Sequence, residues 1–366
     1  MNRRDFIKYC GTLGLTLFLP ERLFAQNERG SKKTIILIEL QGGNDGLNTV
    51  IPYTDPLYYA LRPTIGLKNS EIIKLNNQLA LHASLEPLMP LWEQHQLNIM
   101  LGLGYEKPNL SHFRSIEIWN TNATSDQYLE HGWLSAYLEG FQKASPLNIA
   151  NGLVLGGEQG PLLGVPKTLQ IKNIARFLNH SKSLSELPES TTTNSALLQL
   201  IKTHNTIQNA ALTIKTHLKP LQAPKPFENH PFSKQFALAT QIIQSDLNIP
   251  VIKLNLSSFD THVNQRPQHA RLLRILAQTI NNAQRALKAT GHWQNTVIMT
   301  YSEFGRRAKE NGSQGTDHGT AAPHFIMGGY VVDGFSGLQP PLSDLTNNNL
   351  KFTTHFSELY QKVIAT

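Results

Sequence analysis

The stretch Thr34-Ile35-Ile36-Leu37-Ile38-Glu39-Leu40-Gln41-Gly42-Gly43-Asn44-Asp45-Gly46 decides the fold. Its first seven residues form an apolar, β-branched run with the length of one buried strand. The run breaks at once into a glycine turn that carries an aspartate. The same order returns twice: Val251–Leu256 is followed by Asp260-Thr261-His262, and Thr296–Tyr301 by Ser302-Glu303-Phe304-Gly305. A fourth turn, Thr316-Asp317-His318-Gly319, instead leads into a run, Phe325–Gly329. Continuous apolar strands mark a parallel sheet covered on both faces, and ligands bind beyond the carboxyl ends of such strands. Turns far apart in the chain are therefore expected to converge on one crevice. Asp, Glu and His are suitable ligands there for hard or borderline divalent ions.

Outward from that stretch, Leu97–Leu103 reads as another strand, entered from a helix-like segment around Ser84–Gln94. Phe113, Ile116 and Trp119 recur at helical spacing, and His131–Phe141 reads as a further helix. Asn151–Gly157 is a short strand with a Gly-Gly turn. Between about Lys182 and Ser233, Ser, Thr and Asn dominate and a Pro-rich connection follows, which predicts a helical insertion. A helix resumes from Phe236 to Ile243. Pro267–Lys288 is an amphipathic helix facing inward through Leu272, Ile275, Leu276, Ile280 and Leu287. This alternation predicts an α/β fold, a doubly wound, mostly parallel sheet with helices on both faces. It spans residues 30–366, with the insertion at about 182–233.

The chain has 366 residues and a net charge of +7, with no Lys/Arg block of the kind that marks a nucleic-acid-binding arm. A small anionic ester fits that balance as substrate, although solubility alone would also account for it. No internal apolar run approaches the length of a membrane span, so the mature chain is expected to have none. Asn2-Arg3-Arg4-Asp5-Phe6-Ile7-Lys8, followed by an apolar stretch from Gly11 to Leu19, is a twin-arginine signature. It predicts a signal peptide over residues 1–25, passage through the twin-arginine translocation machinery and a periplasmic or otherwise exported location. That pathway carries folded cargo, which favours a metal loaded beforehand. Cys10, the only cysteine, lies in this leader, so the mature part has no disulfide and no thiolate ligand.

Each candidate site residue also has a plain structural alternative. Asp45 can offer an oxygen to a metal or simply favour its tight turn. Ser111 can be a helix N-cap. Equally, its hydroxyl can be a nucleophile beside backbone N–H groups that bind an oxyanion, its pKa lowered by a metal. Arg114, three residues on, would then clamp a phosphate or sulfate. Asp260 and His262 can meet one ion across a turn or pair with each other. Glu303 needs a metal or an ion pair with Arg306 or Arg307. Asp317 and His318 form the most compact ligand turn. His269 reads as a surface residue, and His324 as structural.

Leu40-Gln41-Gly42-Gly43-Asn44-Asp45-Gly46-Leu47-Asn48, Ser111-His112-Phe113-Arg114-Ser115, Phe259-Asp260-Thr261-His262, Ser302-Glu303-Phe304-Gly305-Arg306 and Gly315-Thr316-Asp317-His318-Gly319 together resemble a large family of twin-arginine-exported bacterial proteins. That family is mostly described as a domain of unknown function and belongs to the alkaline phosphatase–sulfatase superfamily. The match runs from the leader to about Gly337, with Lys182–Ser233 the least familiar part. The resemblance implies an alkaline phosphatase-like fold, metal ligands after the strands and a hydroxyl or formylglycine nucleophile at a helix N-terminus. Asp45 matches the first-strand aspartate, Asp260 and His262 the aspartate–histidine pair, and His318 the final histidine. Two departures stand out. Glu303-Phe304 replaces Asp-His, which removes one imidazole, and the formylglycine motif is absent around Ser111.

The resulting expectation is an exported metal-dependent hydrolase of phosphate or sulfate esters with Ser111 as nucleophile. One or two divalent ions (Zn, Mn, Mg or Ca) would be held by Asp45, Asp260, His262, Glu303, Asp317 and His318. The alternative is a catalytically degenerate superfamily member acting as a periplasmic binding or assembly protein.

Overall fold

The computed structural model describes residues 33–139, 149–185, 187 and 192–366. The segment expected to be a twin-arginine leader, with Cys10, lies outside the described residues, as do the end of the His131–Phe141 segment and part of the Lys182–Ser233 insertion. All described residues belong to one compact unit, Lys32–Thr366.

The opening run forms strand β1 (Thr34–Leu40), buried at every position. It lies inside a nine-stranded sheet with β2 (Leu97–Gly104), β3 (Gly152–Val154), β4 (Thr168–Gln170), β5 (Val251–Leu256), β6 (Thr296–Tyr301), β7 (Ala322–Gly328), β8 (Gly334–Ser336) and β9 (Thr354–His355). The order is β8-β2-β7-β6-β1-β5-β3-β4, with β9 also on β2. β1 pairs in parallel with β5 and with β6. In register, Leu40 stands opposite Leu256, and Glu39 opposite Tyr301. The three strands therefore end at one level, and their turns leave the same edge.

One strand departs from the parallel expectation. β7 runs antiparallel to both β6 and β2. Its amino end thus lies at the edge where β1, β5 and β6 have their carboxyl ends. This explains why the fourth turn precedes its strand while the other three follow theirs.

The alternation of side chains along β1 feeds two cores. Ile36, Ile38 and Leu40 pack with Phe232, Phe236 and Ile242 of a helix at Pro231–Gln244 and with Leu273, Leu276 and Ile280 of a helix at Gln265–Ala289. Ile35 and Leu37 face the other way, toward Ile118 and Trp119 of the helix His112–Thr121 and Leu359 and Val363 of the C-terminal helix Ser357–Ala365. Each fully buried Leu or Ile contributes about 1.5–3 kcal/mol, so covering both faces stabilises the sheet twice over. Glu39, the one charge in β1, is buried and ion-paired to the buried Lys253 of β5.

A helix at Ile174–Ser181 precedes the insertion, which itself holds a helix at Ser195–His217 and then a non-helical connection over residues 218–230. The second helix buries only Ala210, Ala211 and Ile214, all in its C-terminal half. Among the described residues, no helix is long and apolar enough to cross a membrane.

Two histidines occupy unexpected places. His269 is buried rather than superficial, because one turn into its helix it faces inward, with Nε2 2.9 Å from Asn44 Oδ1. His324 lies within β7 rather than before it, edge-on to Trp119 with ring centroids 5.4 Å apart. Among the described residues, neither of its ring nitrogens has a hydrogen-bond partner. Burial pushes its pKa down to about 3, from an ordinary 6.5. Below pH 6.5 the unfolded chain takes up this proton and the folded chain does not. Stability present above that pH is therefore lost as the pH falls toward about 3, by up to about 1.4 kcal/mol per unit for this residue. His324→Leu should keep the fold at neutral pH and move the acid-unfolding midpoint downward in a circular-dichroism titration. An unchanged midpoint would show that this imidazole is not part of the acid response.

Candidate metal centre

At the shared edge the turns are stitched together by buried polar groups. Gly42 adopts φ +118, and a side chain there would overlap the Asp260 amide. Gly315 lies as close to His262, so these two glycines allow three turns to touch. Arg306 fixes them in place. Its Nε donates to Gly43 O at 2.7 Å and its Nη1 to Thr316 O at 2.8 Å. Its Nη2 reaches Gly42 O, Phe259 O at 3.2 Å and Asp260 Oδ1 at 2.5 Å.

Four side chains meet above this stitch. His262 Nε2 lies 3.0 Å from His318 Nε2 and 3.0 Å from Asp260 Oδ1. His318 Nε2 is 3.3 Å from Asp260 Oδ1, and His112 Nε2 is 3.5 Å from Asp260 Oδ2. In a tetrahedral site with ligands about 2.0–2.1 Å from the ion, donor atoms stand about 3.3–3.4 Å apart. One donor atom from each of His112, Asp260 and His318 fits within a 4.8 Å cluster. All four side chains keep one solvent-exposed side, so the centre is open.

The far nitrogens of the three rings decide which lone pairs face inward. His318 Nδ1 is 2.8 Å from the Leu110 carbonyl, which can only accept, so that nitrogen carries the proton and Nε2 a lone pair. His112 Nδ1 is anchored by Glu303 Oε1 at 2.8 Å, and His262 Nδ1 faces Asp317 Oδ1 at 3.4 Å. Anchoring of this kind orients ligating imidazoles. Two imidazole lone pairs 3.0 Å apart repel unless a cation or proton lies between them. The donor set therefore fits a divalent ion. The Glu303 hydrogen bond raises the pKa of His112, whereas burial lowers that of His318. Burial alone would raise the Asp260 carboxyl, but Arg306 holds it below the usual carboxylate range.

Of the residues expected from sequence, the structure brings Asp260, His262 and His318 together at this centre. Glu303 and Asp317 stand one layer behind, holding imidazoles. Glu303 also accepts from the Gly42 amide at 2.8 Å. Asp45 is not brought to the cluster, because both its oxygens are taken by Arg62 at 2.7 and 2.9 Å. Gln265 donates to Asp45 as well, and its Oε1 accepts from Thr261 at 3.1 Å and Thr316 at 2.6 Å. Asp45 thereby supports both ligand turns from below. Burial would raise its carboxyl, but Arg62 keeps it ionised.

Ser111 is the exposed N-cap of the His112–Thr121 helix, and its hydroxyl makes no capping bond. Arg114 is not brought to the cluster either. It pairs with Glu117 at 2.7 Å, donates to the Thr124, Ser125 and Gln127 carbonyls and stacks on Tyr128 at 3.8 Å. Sequence reasoning missed His112, which Ser111 at the N-cap overshadowed. It brings a further imidazole to the cluster, and the Phe304 ring packs against His112 and His318 at 4.9 and 4.6 Å.

A family model described as a protein of unknown function, DUF1501, matches residues 32–364. The chain belongs to this family. The match covers every turn of the centre and continues past Gly337 into the C-terminal helix. No curated protein matches the sequence. Similar solved structures include the lipoteichoic acid synthase LtaP from Listeria monocytogenes, at 10% identity and TM-score 0.38 over 85% of this chain and 67% of that one. The C-terminal periplasmic domain of EptC from Escherichia coli, solved in complex with Zn, is 8% identical at TM-score 0.39 over 81% and 72%. A TAB5 alkaline phosphatase variant with Mg bound is 11% identical at TM-score 0.37 over 91% and 96%. These likenesses are confined to the fold.

The buried Arg62–Asp45 pair underlies two ligand turns. Arg62→Met should leave the buried Asp45 without its cationic partner and lower stability by about 3–5 kcal/mol. Arg62→Met combined with Asp45→Asn should recover part of that loss. Urea denaturation of the three proteins checks this, and a single-variant loss below about 1 kcal/mol would show that the pair does not carry the turns.

Proposed function

We propose that this family member is an exported metal-dependent hydrolase of phosphate or sulfate esters, working in the periplasm after passage through the twin-arginine machinery. The observation that carries the proposal is the convergence of three Nδ1-anchored imidazoles and one carboxylate at an open edge. With His112, His262 and His318 as donors, the set is richer in nitrogen than the sequence suggested. It favours Zn or Mn over Mg or Ca. A bound divalent ion would supply Lewis acidity to the ester oxygens and lower the pKa of a nearby hydroxyl.

The chain's own residues supply the rest. Ser111 precedes the donor His112 directly, and its hydroxyl is exposed and free of a capping bond. This supports Ser111 as the nucleophile in the proposed reaction. The first-turn amides of the His112–Thr121 helix point toward the same end and favour an anionic group there. With Arg114 tied to the Thr124–Gln127 carbonyls, charge on the transferred group is left to these amides and to the cation. Glu303 and Asp317 hold the ring orientations, and Asp45, through Gln265, holds the turns.

Elemental analysis of protein purified without chelator should find a transition metal in the wild type and in Ser111→Ala, and little in His318→Ala. Turnover of aryl phosphate or aryl sulfate should fall by several orders of magnitude in Ser111→Ala. Full activity in that variant would move the nucleophile to water. A folded wild type that takes up no metal on resupply would replace the hydrolase proposal with a binding or assembly role.

A further inference from the structure

The Arg306 guanidinium lies against the ligand cluster itself, and it is buried. Its Nη2 is 2.5 Å from Asp260 Oδ1, and its Nη1 is 3.4 Å from His262 Nε2. Its remaining hydrogen bonds go to the carbonyls of Gly42, Gly43, Phe259 and Thr316. A guanidinium has five N–H donors, and these partners occupy them. None is left for a substrate, so what Arg306 adds to the centre is a fixed positive charge.

The second buried guanidinium has a matching position. Arg62 takes both oxygens of Asp45, one layer below. Asp45 and Asp260 are the two carboxylates of these turns that do not anchor the far nitrogen of an imidazole. Three of their four oxygens already face a guanidinium. Asp260 Oδ2 remains, and it points toward His112 Nε2 at 3.5 Å. A second divalent ion on the Asp260 Oδ1–His262 side would stand close to Arg306, where like charges repel.

We propose that Arg306 occupies the place of a second cation, so that the centre binds one divalent ion, held by His112, His318 and Asp260. This inference rests on the metal-site proposal above. It also makes Arg306 a positioning residue, which shares the Asp260 charge with the ion and sets the side from which the ion is held.

The test is equilibrium dialysis of the full-length protein against Zn²⁺ and, separately, Mn²⁺, with bound metal counted by elemental mass spectrometry. One equivalent per chain at saturation is the expected result. Two equivalents in the wild type would overturn the second-cation role while leaving the metal site intact. No bound metal would overturn the metal-site proposal beneath it, so the two failures are distinguishable.

Arg306→Lys and Arg306→Gln then separate charge from scaffolding. If the charge matters, Arg306→Lys keeps one equivalent, and folded Arg306→Gln binds a second ion or holds the first at least about tenfold more tightly. Weaker binding in a folded Arg306→Gln protein would mean that the guanidinium only braces the turns, and would overturn the proposal. Where Arg306→Gln does not fold, the wild-type count alone decides.

Discussion

The edge of this sheet is organised by one buried guanidinium. Turns leaving β1 and β5, together with the turn that enters β7, bring the carbonyls of Gly42, Gly43, Phe259 and Thr316 around one point at the end of β6. Arg306 lies among them and gives each an N–H. An unsatisfied buried carbonyl costs about 1–3 kcal/mol, and an unpaired buried charge costs more. The carbonyls and the cation therefore stabilise the structure only together. The positions of Asp260, His262 and His318 follow from that arrangement, because all three belong to the turns that Arg306 holds.

A second polar layer lies beneath. The helix at Gln265–Ala289 opens with Gln265, whose amide group spans Asp45, Thr261 and Thr316. One turn later the same face presents His269 to Asn44. The helix thus serves the apolar core along most of its length and the polar edge at its first residues. Asp45 and Arg62 complete this layer with a fully buried ion pair. The centre above can stay open to solvent because its rigidity comes from below.

Much of this was legible in the sequence, for identifiable physical reasons. Apolar runs such as Thr34–Leu40 identified the central strands, since a strand covered on both faces has no polar side to hide the signal. The turns after them identified the functional edge. What the sequence could not separate was depth. Asp45, Asp260, Glu303 and Asp317 are all carboxylates in turns, yet only Asp260 reaches the cluster. The other three hold an arginine or an imidazole, and that difference depends on partners such as Arg62 and His112 that are remote in sequence. His112 was missed because a serine at an N-cap is the stronger local signal. The antiparallel course of β7 was equally hidden, because an apolar run has no direction. The resemblance to a family of unknown function pointed to the correct family. It did not show that an imidazole reaches the cluster from the start of another helix.

The long-range pairing of the sheet has a consequence for how the protein matures. Glu39 and Lys253 form a buried ion pair across β1 and β5 although 214 residues separate them. Contacts so distant in the chain form late, after a large loop-closure cost has been overcome. His112, Asp260 and His318 come from segments that meet only when those pairings are in place, so no partly folded chain presents the cluster. Whatever binds there recognises the finished sheet alone and adds its binding free energy to that state. The cluster is in this sense a certificate of maturation, available only to a molecule whose sheet has already closed.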